Sequence, residues 1–187
     1  MRELRDLLGK KLKAVSFSTS FEGHKDYSKD ERVDFDYLPL GGLTLLFEDE
    51  TIYCVADYFL TSLGTSGVGV KRLDSFKMWP NSEDRFEKWD SIIGKELRTI
   101  KLYWNEESWN NGMKNQSYPE SIELVFENHS LFYFCGDVDD YNPAENQYNL
   151  LTGRDTGIIF YNVGTFGRYN LNKDKRVEEI TALQQST

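Results

Sequence analysis

The sequence is poor in the residues that most often carry chemistry. It has two cysteines, two histidines and four prolines, and 22 lysines and arginines against 31 aspartates and glutamates. Two cysteines cannot build a disulfide framework. Two histidines leave little that exchanges a proton near neutral pH. The deficit of positive charge, a net −9, argues against nonspecific binding to nucleic acid or an anionic membrane, because neutralising phosphate needs a basic surface. There is no run of about eighteen apolar residues, so no membrane-spanning helix is expected. The opening MRELRDLLGKKLKAV is charged and lacks an apolar stretch followed by small residues, so no signal peptide is expected and a cytoplasmic location is. HExxH, CxxC, GxSxG and a Walker-type loop are all missing, and no cofactor is expected. GTSGVG, at 64–69, has no following Lys-Ser/Thr and reads as a turn into a strand.

What the chain does have is aromatic side chains: four Trp, eleven Tyr and twelve Phe in 187 residues. That is enough apolar bulk for a real core in one ordinary domain or two very small ones. Cys54 and Cys135 sit inside apolar runs, YCVADYF and LFYFCGD, and read as reduced, buried strand residues.

The most informative pattern is internal. LLGKKLKAV (7–15) resembles IIGKELRTI (92–100), LTLLFEDETIYCV (43–55) resembles IELVFENHSLFYF (122–134), and TSGVGV (65–70) resembles DTGIIF (155–160), in the same order. Three collinear matches suggest a tandem duplication, with repeats at 1–80 and 81–187 fused into one domain. Each repeat reads as a short amphipathic helix, at 2–8 or 83–93, followed by about four strands. Gly9 and Gly94 stand where a left-handed helix cap favours glycine. The hairpins are the clearest elements. Their strands are expected at 43–47 and 52–58, with a two-residue turn at Asp49-Glu50, and at 122–126 and 131–135, with a turn around Asn128-His129. Phe47 would then face Ile52, and Phe126 would face Leu131. Apolar residues on both faces place these hairpins centrally. The tail from Lys175 reads as polar and frayed, or helical. The expected class is α+β, mostly antiparallel β, with pseudo-twofold halves.

Chemistry is harder to place. His24 and His129 read as solvated. Asp137 and Asp139 have the alternation of a calcium loop, but Asn142 stands in the glycine position and Tyr148 in that of the closing glutamate, so no metal is assigned. Nothing in the acid spacing selects a glycosidase pair. Three polar insertions mix acids with aromatics: 21–37 (Phe21, Tyr27, Phe35, Tyr37), 104–120 (Trp104, Trp109, Tyr118) and 137–149 (Tyr141, Tyr148). Such loops either fold back over the sheet or present a recognition surface, in which aromatics supply contact area and acids steer a basic partner.

The pattern (I/L)(I/L)GKxLxx(I/V), a polar gap, then FE(D/N)xx(I/L) resembles small, acidic bacterial cytoplasmic proteins, some of which are immunity proteins that neutralise toxins by binding them. The resemblance spans both halves and carries no catalytic residue. The first expectation is therefore a non-enzymatic binding protein that masks a basic protein partner such as a toxin. Its contacts would be Trp109, Asp137, Asp139, Asp140 and Tyr141. The alternatives are a metal-assisted hydrolase on 137–145, and a structural or regulatory scaffold, with a homodimer through sheet edges.

Overall fold

A computed structural model describes residues 2–19, 25, 27, 30–39, 42–60, 65–77, 86–107 and 116–182. Strands account for 58% of the chain, and this overturns the α+β expectation. The protein is an antiparallel β sandwich, not two repeated halves each opened by a helix. One sheet contains β1 (Leu12–Ser16), β3 (Gly42–Phe47), β4 (Ile52–Leu60) and β5 (Thr65–Leu73), in the order β1-β3-β4-β5. The other contains β2 (Asp36–Leu38), β6 (Leu97–Glu107), β7 (Gln116–Phe126), β8 (His129–Asn142), β9 (Gln147–Phe160) and β10 (Arg176–Thr181), in the order β10-β6-β7-β8-β9-β2.

Of the two expected helices, α1 forms over Arg2–Leu7, close to the expected 2–8, whereas α2 covers Phe86–Trp89 of the expected 83–93, of which 83–85 lie outside the described residues. Segments this short gain too few hydrogen bonds to offset nucleation and survive by packing. Here Trp89 is fully buried, 5.6 Å from Phe17 and 5.4 Å from Tyr161 between ring centroids. Ile92 and Ile93, expected on the helix, instead bond back to the Trp89 carbonyl in the turn that follows. The tail from Lys175 is neither helical nor frayed at its start, since β10 pairs with β6 from Arg176↔Trp104 to Thr181↔Thr99. β2 lies early in the chain yet pairs with β9 in the second sheet.

The two GK strings adopt one local geometry. Gly9 and Gly94 have φ of 79° and 77°. Four backbone bonds, Gly9 N to Leu97 O, Leu97 N to Lys10 O, Leu12 N to Lys95 O and Gly94 N to Leu12 O, stitch the start of β1 to the start of β6. A Cβ on Gly94 would meet nothing within 4 Å, so Gly94→Ala isolates the backbone cost of the left-handed conformation. It is expected to lower stability by about 1–2 kcal/mol, read by urea denaturation; a loss near zero would show that the turn relaxes.

Both hairpins are central, but their registers differ from expectation. In the first, Leu46 faces Ile52 and Leu45 faces Tyr53. Phe47 N bonds to Thr51 O, which makes a three-residue loop with Glu50 at φ 62°. In the second, Phe126 faces His129 and Leu124 faces Leu131, around a turn at Glu127-Asn128 with Glu127 at φ 47°. Lys10 pairs with Asp49, Lys13 with Glu50 and Lys95 with Glu127, which fastens each turn to a neighbouring segment.

The main core lies between the sheets. Val15, Leu45, Phe47, Tyr53 and Val55 face Ile100, Ile122, Leu124, Tyr133 and Ile159. A second core covers the other face of the six-stranded sheet. There Phe132, Phe134, Ile158 and Phe160 pack under Phe35, Tyr37 and Phe166, the last carried by α3 (Val163–Arg168). The six-stranded sheet is thus buried on both faces, which is why its strands read as nearly continuous apolar runs.

Candidate functional site

β8 and β9 outrun their neighbours. β7 pairs with β8 only over His129 to Phe134, and β2 pairs with β9 only over Gly157 to Ile159. Among the described residues, the two strands pair with each other alone from Gly136↔Thr152 to Asn142↔Gln147. The result is a two-stranded ribbon that continues beyond the ladder of the sheet. Its end is a turn at 143–146, where Asn142 Oδ1 accepts from Ala144 N at 3.1 Å and Asn146 takes φ 52°.

The ribbon contains a β-bulge. Val138 faces Leu150 and Tyr141 faces Tyr148, so Asp139 and Asp140 together stand opposite one residue. A bulge breaks strict alternation and re-aims side chains. Asp139 and Asp140 are both exposed, as is Glu145 in the turn. Regular pairing would have turned one of two consecutive aspartates toward each face.

The other residues expected at the site take different roles. Asp137 is half-buried and accepts from the Tyr37 hydroxyl at 2.9 Å and from Val138 N at 2.8 Å. Burial, then this bond to Asp137, pushes the Tyr37 phenol well above its ordinary range. Tyr141 donates to Asn146 Oδ1 at 2.5 Å and carries the Arg32 guanidinium 4.3 Å above its ring. Trp109 lies outside the described residues.

The aromatics of the first insertion cover the ribbon. Tyr27 sits edge-on to both Tyr37 and Tyr148, with centroids 5.4 Å apart in each case. The Tyr148 hydroxyl donates to Asp30 Oδ2 at 2.7 Å and accepts from Arg32 at 3.0 Å and Lys25 at 3.1 Å. Arg32 also clasps Asp30 through two bonds, 2.8 and 2.6 Å long. The Arg32 guanidinium, with the Tyr148 hydroxyl, holds the Asp30 carboxyl far below the usual carboxylate range. One side of the ribbon is therefore occupied by the chain itself, and the bulge and turn are what it offers to solvent. His129 is exposed, and His24 lies outside the described residues. Among the described residues, no three His, Cys, Asp or Glu side chains converge to hold a metal ion. Burial raises the thiols of both Cys54 and Cys135, away from nucleophilic character. No helix among the described residues is long and apolar enough to cross a membrane.

A second concave place lies where β6 meets β10. Its cavity of about 300 Å³ is lined by Trp104, Asn105, Lys173, Asp174, Lys175 and Arg176. Behind it the Lys175 ammonium contacts the Glu120 carboxylate, whose side chain is fully buried. Burial pushes the Lys175 ammonium down to about 8. The Trp104 indole N–H is buried with no acceptor among the described residues, an omission that typically costs about 1–3 kcal/mol. The one signal of this place in the sequence is KDKR at 173–176, three cations in four residues of an acidic chain. Compared with known protein families, curated proteins and solved structures, the chain has no match.

Proposed function

We propose that the chain is a non-enzymatic binding module that holds a basic protein partner, in the manner of an immunity-type inhibitor masking a toxin. The observation that carries this reading is the bulge. It turns Asp139 and Asp140 to solvent together on a ribbon that extends past the sheet, with Glu145 exposed in the turn beyond. Exposed carboxylates on a projecting element steer an oppositely charged partner and take arginine in two-bond geometry. The covering layer of Tyr27, Tyr148, Arg32 and Asp30 fixes the ribbon before binding, which reduces the ordering cost of association.

The test is an affinity capture from the organism's own extract at low salt. Wild type is compared with a variant carrying Asp139→Asn, Asp140→Asn and Glu145→Gln. All three sites are exposed, so thermal stability should hardly change. Wild type is expected to retain a protein of basic pI that elutes as salt is raised, with retention by the variant reduced about tenfold or more. Equal retention by the variant, or a partner indifferent to salt, would refute the reading.

A further inference from the structure

The first insertion brings two cations onto the ribbon, and they are held differently. Arg32 is clasped by Asp30 and lies 4.3 Å over the Tyr141 ring. Among the described residues, no carboxylate forms an ion pair with Lys25. Its ammonium lies 4.5 Å from the centroid of the Tyr27 ring and 5.0 Å from that of Tyr148, and it donates to the Tyr148 hydroxyl at 3.1 Å. The planes of these two rings are 82° apart. They form a corner in which one charge meets both rings at cation–π distance. Negative charge stands close by. Burial, above all, raises the Tyr27 phenol, and Asp137 and Asp139 push it the same way against the opposing Lys25. Asp139 is one of the two carboxylates that the bulge turns to solvent.

A strap that only held the insertion to the ribbon would not need Lys25. The Arg32–Asp30 clasp and the edge-on contacts of Tyr27 with Tyr37 and Tyr148 already do that. Lys25 is exposed, and a cation–π contact at an exposed site is weak. Tyr148 is only 4% exposed, but the side chain over this corner is that exposed lysine, so the corner opens when the lysine swings away. What Lys25 adds is an ammonium of the chain's own in a place built to recognise one.

We propose that the Tyr27–Tyr148 corner is a lysine-recognition site, filled by Lys25 in the free protein and by a lysine side chain of the partner protein in the complex. This rests on reading the ribbon as the surface that takes a basic partner, and it names the side chain taken. Lys25 is then a built-in competitor, which lowers the partner's affinity by the fraction of molecules whose corner is already filled. The Arg32–Asp30 clasp keeps the corner in shape when Lys25 leaves. A primary ammonium suits it, because the Tyr148 oxygen accepts one of its N–H groups.

The full chain is titrated with a capped Gly-Lys-Gly peptide and with its Nε-acetyl-lysine counterpart at constant ionic strength, and the tyrosine ring resonances are followed by NMR. The lysine peptide is expected to shift Tyr27 and Tyr148 saturably, and the acetylated peptide to leave them in place. Lys25→Gln changes an exposed residue, so the melting temperature should hardly move. It should tighten binding of the lysine peptide about two- to fivefold, the reverse of what losing a merely structural contact would do. Tyr27→Leu should abolish the saturable shift at Tyr148. Equal responses to the two peptides, or binding that Lys25→Gln leaves unchanged or weakens, would overturn the proposal. The peptide reports on the corner alone. Peptide binding with no basic protein captured from extract would remove the partner reading and leave the corner standing as an ammonium site. Capture of a basic protein with no peptide binding would remove the corner and leave the partner reading.

Discussion

Lys175→Met is expected to destabilise the chain by about 3–5 kcal/mol, the usual cost of stranding one member of a buried ion pair. The reason lies in what remains. Glu120 is fully buried on β7, where the Asn105 amide also reaches it at 3.4 Å. Without Lys175 no cation among the described residues pairs with its charge, and the group must protonate or drag solvent in. The double change Glu120→Leu with Lys175→Met removes both charges and should recover most of the loss, because well-packed apolar pairs replace buried ion pairs at little cost. Urea denaturation of the two single variants and the double variant forms a cycle that isolates the coupling. A single-variant loss under about 1 kcal/mol would mean that the pair is wetter than its burial implies.

Much of the sheet core can be read from alternation. Leu45 and Phe47, or Ile122, Leu124 and Phe126, are spaced by two and all point between the sheets. The positive φ of Gly9 and Gly94 follows from glycine placed just past a short helix. Register is less legible, because it depends on loop length. Glu50 and Glu127 adopt left-handed backbone, although nothing in a glutamate advertises it, since asparagine and aspartate are the non-glycine residues that visit it most readily. β10 is hard to read as a strand for a different reason. It is an edge strand with Val177 47% exposed and only Ile180 buried, so the alternation that marks a strand is faint. The α+β expectation fails because strands dominate and the second helix is short. Periodicity at 83–93 is compatible with a helix, yet the segment turns at Trp89, and packing of that one indole outweighs propensity. At the ribbon, acidity and aromatic content are visible in the sequence. The bulge at Asp139-Asp140 is not, nor is the use of Asp137 by Tyr37, a residue 100 positions earlier. Lys175 and Glu120 are likewise joined only by the pairing of β10 and β7 on either side of β6.

Phe166→Ala should cost about 3–5 kcal/mol, in line with other buried phenylalanine truncations. Phe166 is fully buried and stacks on Phe132 with centroids 4.3 Å apart and planes 17° from parallel. It also lies 5.5 Å from Tyr103 and 5.6 Å from Phe160. The helix that carries it has six residues. An Asn162 cap accepts from Thr165 N at 2.7 Å, which is worth about 1 kcal/mol and cannot sustain so short a helix alone. Phe166 is thus the anchor of α3, and its loss should loosen the helix and uncover the outer face of the six-stranded sheet. Val163, on the same helix but 62% exposed, supplies the control: Val163→Ala should change stability by less than about 0.5 kcal/mol. Urea denaturation with a dye that reports exposed apolar surface tests both. A Phe166→Ala loss below about 1 kcal/mol, or no gain in dye binding, would show that α3 is held by something else. Below its lowered melting point the variant should still hold a basic partner at the ribbon. The ring contacts and bonds that join Tyr27, Tyr148 and Arg32 to Tyr141 do not include Phe166. Partner binding lost in step with α3, in protein that is still folded, would place the recognition surface on this face of the sheet instead of at the bulge.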